Sequence, residues 1–212
     1  MAESTVLEAV KKALEGSKQR KFTETVELAL NLKGIDLSVP KNRIDDDVLL
    51  PRGRGKPAKI AVFATGELAV KSKGCADLVI APEQIDDYAG DRKKAKKLAG
   101  QFNFFIAEAP LMPAIGKKLG PVLAPRGKMP RPVPPTIDPA PLVNNLRSTI
   151  RIRTRDKKTF HAPVGTRGMK PEEIADNVEA VLKKVISRLE RGKQNIASVF
   201  LKTTMGASVK VM

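Results

Sequence analysis

The stretch Ser198-Val199-Phe200-Leu201-Lys202-Thr203-Thr204-Met205-Gly206 holds residue types that suit docking against a polar polymer. Val199 and Leu201 fall on one side of a strand, and Ser198, Phe200 and Lys202 fall on the other. Thr203 and Thr204 add hydroxyl donors and acceptors, and Met205 adds a soft thioether. Gly206 lacks a side chain where close backbone approach would need none. The same pattern describes an edge strand that ends in a turn. The charge of the chain favours the docking reading.

The 212 residues carry 39 Lys and Arg against 23 Asp and Glu, a net charge of +16. Such a surplus favours a polyanionic partner, because each neutralised phosphate releases condensed counterions. It is uneven: residues 1–57 carry +2, residues 58–146 carry +5 and residues 147–212 carry +9. The C-terminal third is therefore the expected anion-facing part. Seven Phe, one Tyr and no Trp argue against RNA binding mainly by base stacking. Backbone shape, hydroxyls and charge are the expected means of recognition. No segment approaches the roughly 20 apolar residues of a spanning helix, and the N-terminus has no secretory pattern. A cytosolic protein that meets no membrane is the expectation.

Other chemistries find little support. His161 is the single histidine and has no nucleophile context, so it reads as a hydrogen-bonded group, at or near a surface. Cys75 is the single cysteine, which excludes an intrachain disulfide and makes metal binding improbable. Asp45-Asp46-Asp47 and Asp86-Asp87 read as solvating or capping groups in polar loops. Gly165-Thr166-Arg167-Gly168 matches the G-x-x-G of KH-type RNA clamps, but Pro163 and Pro171 flank it where helices are needed. A plain turn is the simpler reading. Neither Gly53-Arg54-Gly55-Lys56 nor Gly120 to Lys128 has the spacing of a phosphate loop. An enzyme acting on RNA or nucleotides would need such a loop or an acid–base pair. No catalytic residue, metal or cofactor is expected.

The elements that would position the closing strand come from both chain ends. Thr5 and Glu8 are spaced as a capping box, ahead of a Val6, Val10, Leu14 stripe that Gly16 stops. Phe22 to Leu30 alternates as a strand, residues 33–47 read as a connection, and Val48 to Leu50 as a short strand. Thr149 to Arg155 alternates basic and apolar, with Asp156-Lys157-Lys158 as a turn and Thr159 to Ala162 returning. Pro171 opens a helix whose apolar stripe runs from Ile174 to Leu189. Between them, short apolar runs at 59–64, 77–80 and 104–107 alternate with helices near 66–73 and 91–100, as in a small parallel α/β unit. The second helix carries Arg92, Lys93, Lys94, Lys96 and Lys97, read as a solvated face. Residues 110–141 hold ten of the sixteen prolines. Leu119 to Pro130 within them reads as a stiff basic loop, either touching phosphate or lying near a domain boundary. One helix and two strands cannot bury a core alone, so the two chain ends are expected to fold together around an inserted middle. The crossings near 57–60 and 146–150 would form a hinge.

Several stretches together resemble the ribosomal protein L-one family, which builds the mobile stalk of the large subunit. They are Arg20 to Glu27, Leu119-Gly120-Pro121 through Pro125 to Pro130, Phe160 to Gly165, Ala175-Asp176-Asn177, and Thr203 to Gly206. Arg131-Pro132-Val133-Pro134-Pro135 is similar to the archaeal or eukaryotic branch. The resemblance implies a discontinuous α+β RNA-binding domain, residues 1–58 plus 148–212, with an inserted Rossmann-like three-layer α/β domain at 59–147. It also implies a non-enzymatic ribosomal protein that binds folded large-subunit rRNA near the tRNA exit site. Exit-site tRNA and the protein's own mRNA, as a target of repression, are further implied partners. The protein would be cytoplasmic on the ribosome and a monomer off it. Carried over by residue, the RNA-contacting set falls on Lys21, Phe22, Thr25, Ser198, Thr204, Met205 and Gly206, with Arg20, His161, Lys202 and Thr203 beside them. Asp156 matches an acidic position of the family, ahead of a turn one residue shorter than in bacterial relatives.

Overall fold

The computed structural model describes residues 3–154 and 157–212. Its contacts divide into two compact units, Met1–Pro57 with Ser148–Met212, and Ala58–Arg147.

The terminal unit is built on an antiparallel sheet. Strand β1 (Thr25–Leu32) is central, flanked by β8 (Thr159–Thr166) and β9 (Ile196–Thr203), and β10 (Val209–Lys210) closes the far side of β9. Along β1, Val26, Leu28, Leu30 and Leu32 are buried, while the residues between them keep partial exposure. That period of two leaves one face for the core and one outside it. The core face packs against α1 (Glu3–Glu15) and α8 (Pro171–Arg188). Helix α1 contributes Val6, Ala9, Val10 and Ala13, and α8 contributes Ile174, Val178, Val181, Leu182 and Val185. Both sets recur at three and four residues, the stripe an amphipathic helix buries. Glu173 accepts the Lys170 N–H at 3.1 Å and so closes the first turn of α8, behind Pro171. Helix α1 begins at Glu3, which places Thr5 inside the helix rather than at its cap.

Two expectations for this unit are corrected. The Asp45-Asp46-Asp47 run is not a loop: it opens strand β2 (Asp45–Leu49), which pairs antiparallel with β7 (Thr149–Arg153) in a separate two-stranded sheet. Strands β7 and β8 accordingly do not form a hairpin, since β8 pairs with β1. The cause is electrostatic as well as apolar. Arg151 meets Asp45 through Nε at 2.6 Å and Nη2 at 2.8 Å, while Val48, Ile150 and Ile152 join the common core.

The inserted unit carries a parallel sheet in the order β4-β3-β5-β6: β3 (Ile60–Phe63), β4 (Leu78–Ile80), β5 (Phe104–Glu108) and β6 (Arg131–Val133). All of β3 is buried. Ala61 and Phe63 face a cluster with residues of α3 (Pro82–Gly90), α4 (Arg92–Gln101), α5 (Met112–Lys118) and α6 (Gly120–Leu123). Ile60 and Val62 face the opposite cluster, with α2 (Gly66–Lys73) and α7 (Pro139–Arg147). Helices thus cover both faces, as a parallel sheet requires. Asp86 and Asp87 lie within α3 rather than in a loop, and Asp86 pairs with Lys118. The proline-rich 110–141 stretch is a loop only in part, irregular at 124–130 and 134–138. It holds α5, α6, the start of α7 and the edge strand β6, with prolines in the first turns of α5 and α6, where a missing N–H costs nothing.

Candidate nucleic-acid interface

The outer face of the terminal sheet presents three cross-strand rows. At one end Ser198, Asn31 and Thr159 lie side by side on β9, β1 and β8. In the middle Lys210, Phe200, Ala29 and His161 span all four strands. Next come Lys202, Glu27 and Pro163. These side chains are half-buried or exposed, and α1 and α8 lie on the other side. The first row is hydrogen-bonded through. Thr159 Oγ1 donates to Asn31 Oδ1 at 2.7 Å, and Asn31 Nδ2 donates to Ser198 Oγ at 2.8 Å.

At the other end the two chain halves are tied together. Thr204 Oγ1 accepts the Thr25 N–H at 3.1 Å and donates to the Thr25 carbonyl at 3.2 Å, and the Thr204 N–H reaches that carbonyl at 3.0 Å. One lone pair of the Thr204 hydroxyl remains for an outside donor. Gly206 follows in a tight turn, its N–H on the Thr203 carbonyl at 3.2 Å. A Cβ at Gly206 would overlap Thr203 Oγ1, so glycine is required there for space.

Beneath this corner lies Glu24, whose side chain is 0% exposed. Its Oε1 accepts the Met205 N–H at 3.1 Å and meets Arg20 Nε at 3.5 Å, and Oε2 faces Arg167 Nη1 at 3.7 Å. Arg167 also donates to the carbonyls of Lys18 at 2.7 Å and Ser17 at 3.0 Å. A buried carboxylate needs such partners, because desolvation without them would neutralise it. Met205, whose N–H Glu24 holds, and Phe22, two residues ahead of Glu24 in the chain, are 60% and 53% exposed.

The expected site residues divide. Thr25, Thr204, Met205 and Gly206 gather around the Glu24 corner, Lys21 and Phe22 are exposed in the segment leading into it, and Ser198, Lys202 and His161 lie on the outer sheet face. Arg20 is exposed and turned toward Glu24. Thr203 differs: it is fully buried on the core face opposite Val26 and offers nothing to a surface ligand. Phe22 precedes β1 rather than opening it. Asp156 lies outside the described residues. The sequence reading missed Glu24 as a member of the site, and it missed Asn31, Thr159 and Arg167. The signal for Glu24 was available: an acid next to a buried strand start, four residues from an arginine.

The charge of the C-terminal third is partly spent inside the protein. Arg151 and Arg153 meet Asp45, Arg188 meets Asp46, and Arg167 meets Glu24. Hydrogen bonding to Arg151 holds the Asp45 carboxyl below the ordinary carboxylate range. Gly165 and Thr166 end strand β8, paired with Val26 and Thr25, and Arg167 and Gly168 begin the turn toward α8. In the inserted unit, Lys128 Nζ caps the end of α4 through the Ala99 and Phe102 carbonyls, both at 2.8 Å, which makes it a structural group. At the carboxyl ends of β3 and β5, where such sheets bind ligands, the Glu108 carboxylate accepts the Thr65 N–H at 2.9 Å and hydroxyl at 2.5 Å. Among the described residues no cluster of three or more His, Cys, Asp or Glu could hold a metal, and no helix is long and apolar enough to cross a membrane.

Residues 10–207 match the Ribosomal protein L1p/L10e family. The chain belongs to that family. It is similar to the large ribosomal subunit protein uL1 of Methanocella arvoryzae, 54% identical with all of both chains covered. The protein of the same name from Archaeoglobus fulgidus is 52% identical over 98% of this chain and 97% of its own, and that from Thermoplasma acidophilum 53% over 97% and 95%. These relatives are archaeal, in keeping with the proline-rich Arg131 to Pro135 segment. Members of the family are structural ribosomal proteins and not enzymes, and binding of ribosomal RNA is general among them.

Proposed function

We propose that the outer sheet face and the Glu24 corner of the terminal unit dock this protein onto folded large-subunit rRNA at the mobile stalk near the tRNA exit site. As a ribosomal protein it works in the cytoplasm on the ribosome. The observation that carries the docking reading is the corner itself. Exposed Met205 follows Thr204, which is bonded to Thr25, on a backbone fixed from beneath by a buried carboxylate, and exposed Phe22 lies three residues ahead of Thr25 in the chain. Fixed donors and acceptors recognise RNA shape and 2′-hydroxyls. The apolar pair excludes water from those bonds, so a mismatched RNA surface leaves polar groups unpaired at about 1–3 kcal/mol each. Arg20, Lys21 and Lys202 supply phosphate attraction around it.

The inserted unit, carried on the two chain crossings, would follow the stalk as exit-site tRNA leaves. The same face would bind an RNA copy of the ribosomal site in the protein's own messenger, as a repressor. Off the ribosome the protein would be a monomer. The test is affinity for a stalk rRNA fragment by gel shift. Met205→Asp and Ser198→Ala should each weaken binding about tenfold, the equivalent of roughly 1.4 kcal/mol. Wild-type affinity in both variants would sink the assignment. Competition between the stalk fragment and the messenger leader for the protein tests the shared surface.

A further inference from the structure

We infer that Asn31, anchored by Thr159, sets the polarity of the Ser198 hydroxyl so that Ser198 donates its proton to an acceptor oxygen of the bound RNA. The inference rests on the docking face proposed above and gives one of its contacts a direction. The three residues form a single row across β9, β1 and β8, in register at Asn31↔Ser198 and Asn31↔Thr159. The Thr159 hydroxyl donates to Asn31 Oδ1, which orients the amide, and Nδ2 then donates to Ser198 Oγ. A hydroxyl has one proton and two lone pairs. With one lone pair filled by the amide, the Ser198 proton has no protein acceptor among the described residues and is presented at the outer face.

Thr204 has the opposite polarity. Its proton is directed to the Thr25 carbonyl and one lone pair takes the Thr25 N–H, so it offers an outside ligand only a lone pair. The docking face therefore offers a free hydroxyl proton at Ser198 and, at Thr204, a lone pair but no proton. In a unit of 25 basic and 15 acidic residues, the acceptor facing Ser198 is a phosphate oxygen, the abundant partner that a positively charged surface draws in. Asn31 is thus a positioning residue, acting through Ser198.

Asn31→Asp is the diagnostic change. It keeps the size and the bond from Thr159, but a carboxylate accepts from Ser198 and turns the serine proton inward. Affinity of the full chain for the stalk rRNA fragment is measured for wild type, Asn31→Asp, Ser198→Ala and the double variant, with thermal melting as the fold control. The expected loss for Asn31→Asp is about thirtyfold in the wild-type background, and about threefold, from the added charge alone, in the Ser198→Ala background. Lowering the pH through the range where the new carboxyl protonates restores a donor. It should recover most of the loss only where Ser198 is present. Asn31→Ala gives a second route: with Ser198→Ala it should bind no worse than Ser198→Ala alone, at an unchanged salt slope. Equal losses for Asn31→Asp in both backgrounds would mean that the amide points the other way or touches RNA itself, and would overturn the inference. Should Ser198→Ala, Met205→Asp and Asn31→Asp all bind like wild type, the docking face itself is wrong, an outcome distinct from lost coupling.

Discussion

The two four-stranded sheets of this chain treat their faces in opposite ways. In the terminal unit, β1 alternates buried and half-buried residues, and α1 and α8 cover one side. In the inserted unit β3 is buried along its whole length, and helices lie on both sides. Net charge separates the units poorly, since the terminal unit carries +10 over 122 residues and the inserted unit +6 over 90. What separates them is a face left outside the core, with one row of its polar groups, Thr159, Asn31 and Ser198, tied together across neighbouring strands. Charge attracts RNA to either unit, but fixed hydrogen-bonding groups can select among RNAs only where a sheet face is left outside the core.

The largest expected effect sets the units against each other. Phe105→Ala removes a fully buried ring that packs on Phe63 and Phe102, and should lower the stability of the inserted unit by about 3–5 kcal/mol. Affinity for the stalk fragment, measured below the melting temperature, should stay within about twofold, because the docking face is not built on that sheet. A tenfold loss would erase the distinction. In the terminal unit, Glu24→Ala leaves the Met205 N–H and two arginines without their carboxylate, and should cost roughly 2–3 kcal/mol in denaturant unfolding. Here stability and RNA affinity should fall together, since Arg20 and the Met205 turn both rest on Glu24. Gly206→Ala forces the turn away from Thr203 and should cost about 1–3 kcal/mol, again with weaker RNA binding.

The smallest effect concerns pH. The folded-state pKa of Asp45 lies below its unfolded value, chiefly through the bond from Arg151. The pair's stabilisation is therefore present above the unfolded carboxylate value near pH 4 and lost as pH falls through the lower, folded value. Asp45 is 36% exposed, so screening keeps the contribution below about 1 kcal/mol. Unfolding of Asp45→Asn should lose that part of the acid dependence while RNA affinity stays unchanged. A change in affinity would extend the docking surface to the β2–β7 ribbon.

The strand and helix periods were legible where packing follows them. The Ile174 to Leu189 stripe and the apolar runs at 59–64 and 104–107 became α8, β3 and β5 at nearly the expected places. Proline density misled at 110–141, because proline in a first helical turn starts a helix as readily as it stiffens a loop. The acidic run misled at 45–47, because its strand is stabilised by arginines more than a hundred residues away. The pairing of Glu24 stayed hidden for the same reason: Arg167, its distant partner, has no marker in the local sequence.

By itself the sequence determined the periodicities, the excess of positive charge, the absence of phosphate-loop spacing and the combination of motifs that resembles one family. Those are local or additive properties, fixed by residue type and spacing. Only the tertiary structure decided which strands are neighbours, and with that which hydroxyls have a direction. Thr204 is tied to Thr25 across 179 positions and Asn31 to Ser198 across 167. A hydrogen bond's donor and acceptor are assigned by whatever stands opposite, and in this protein the opposite residue comes from the other end of the chain.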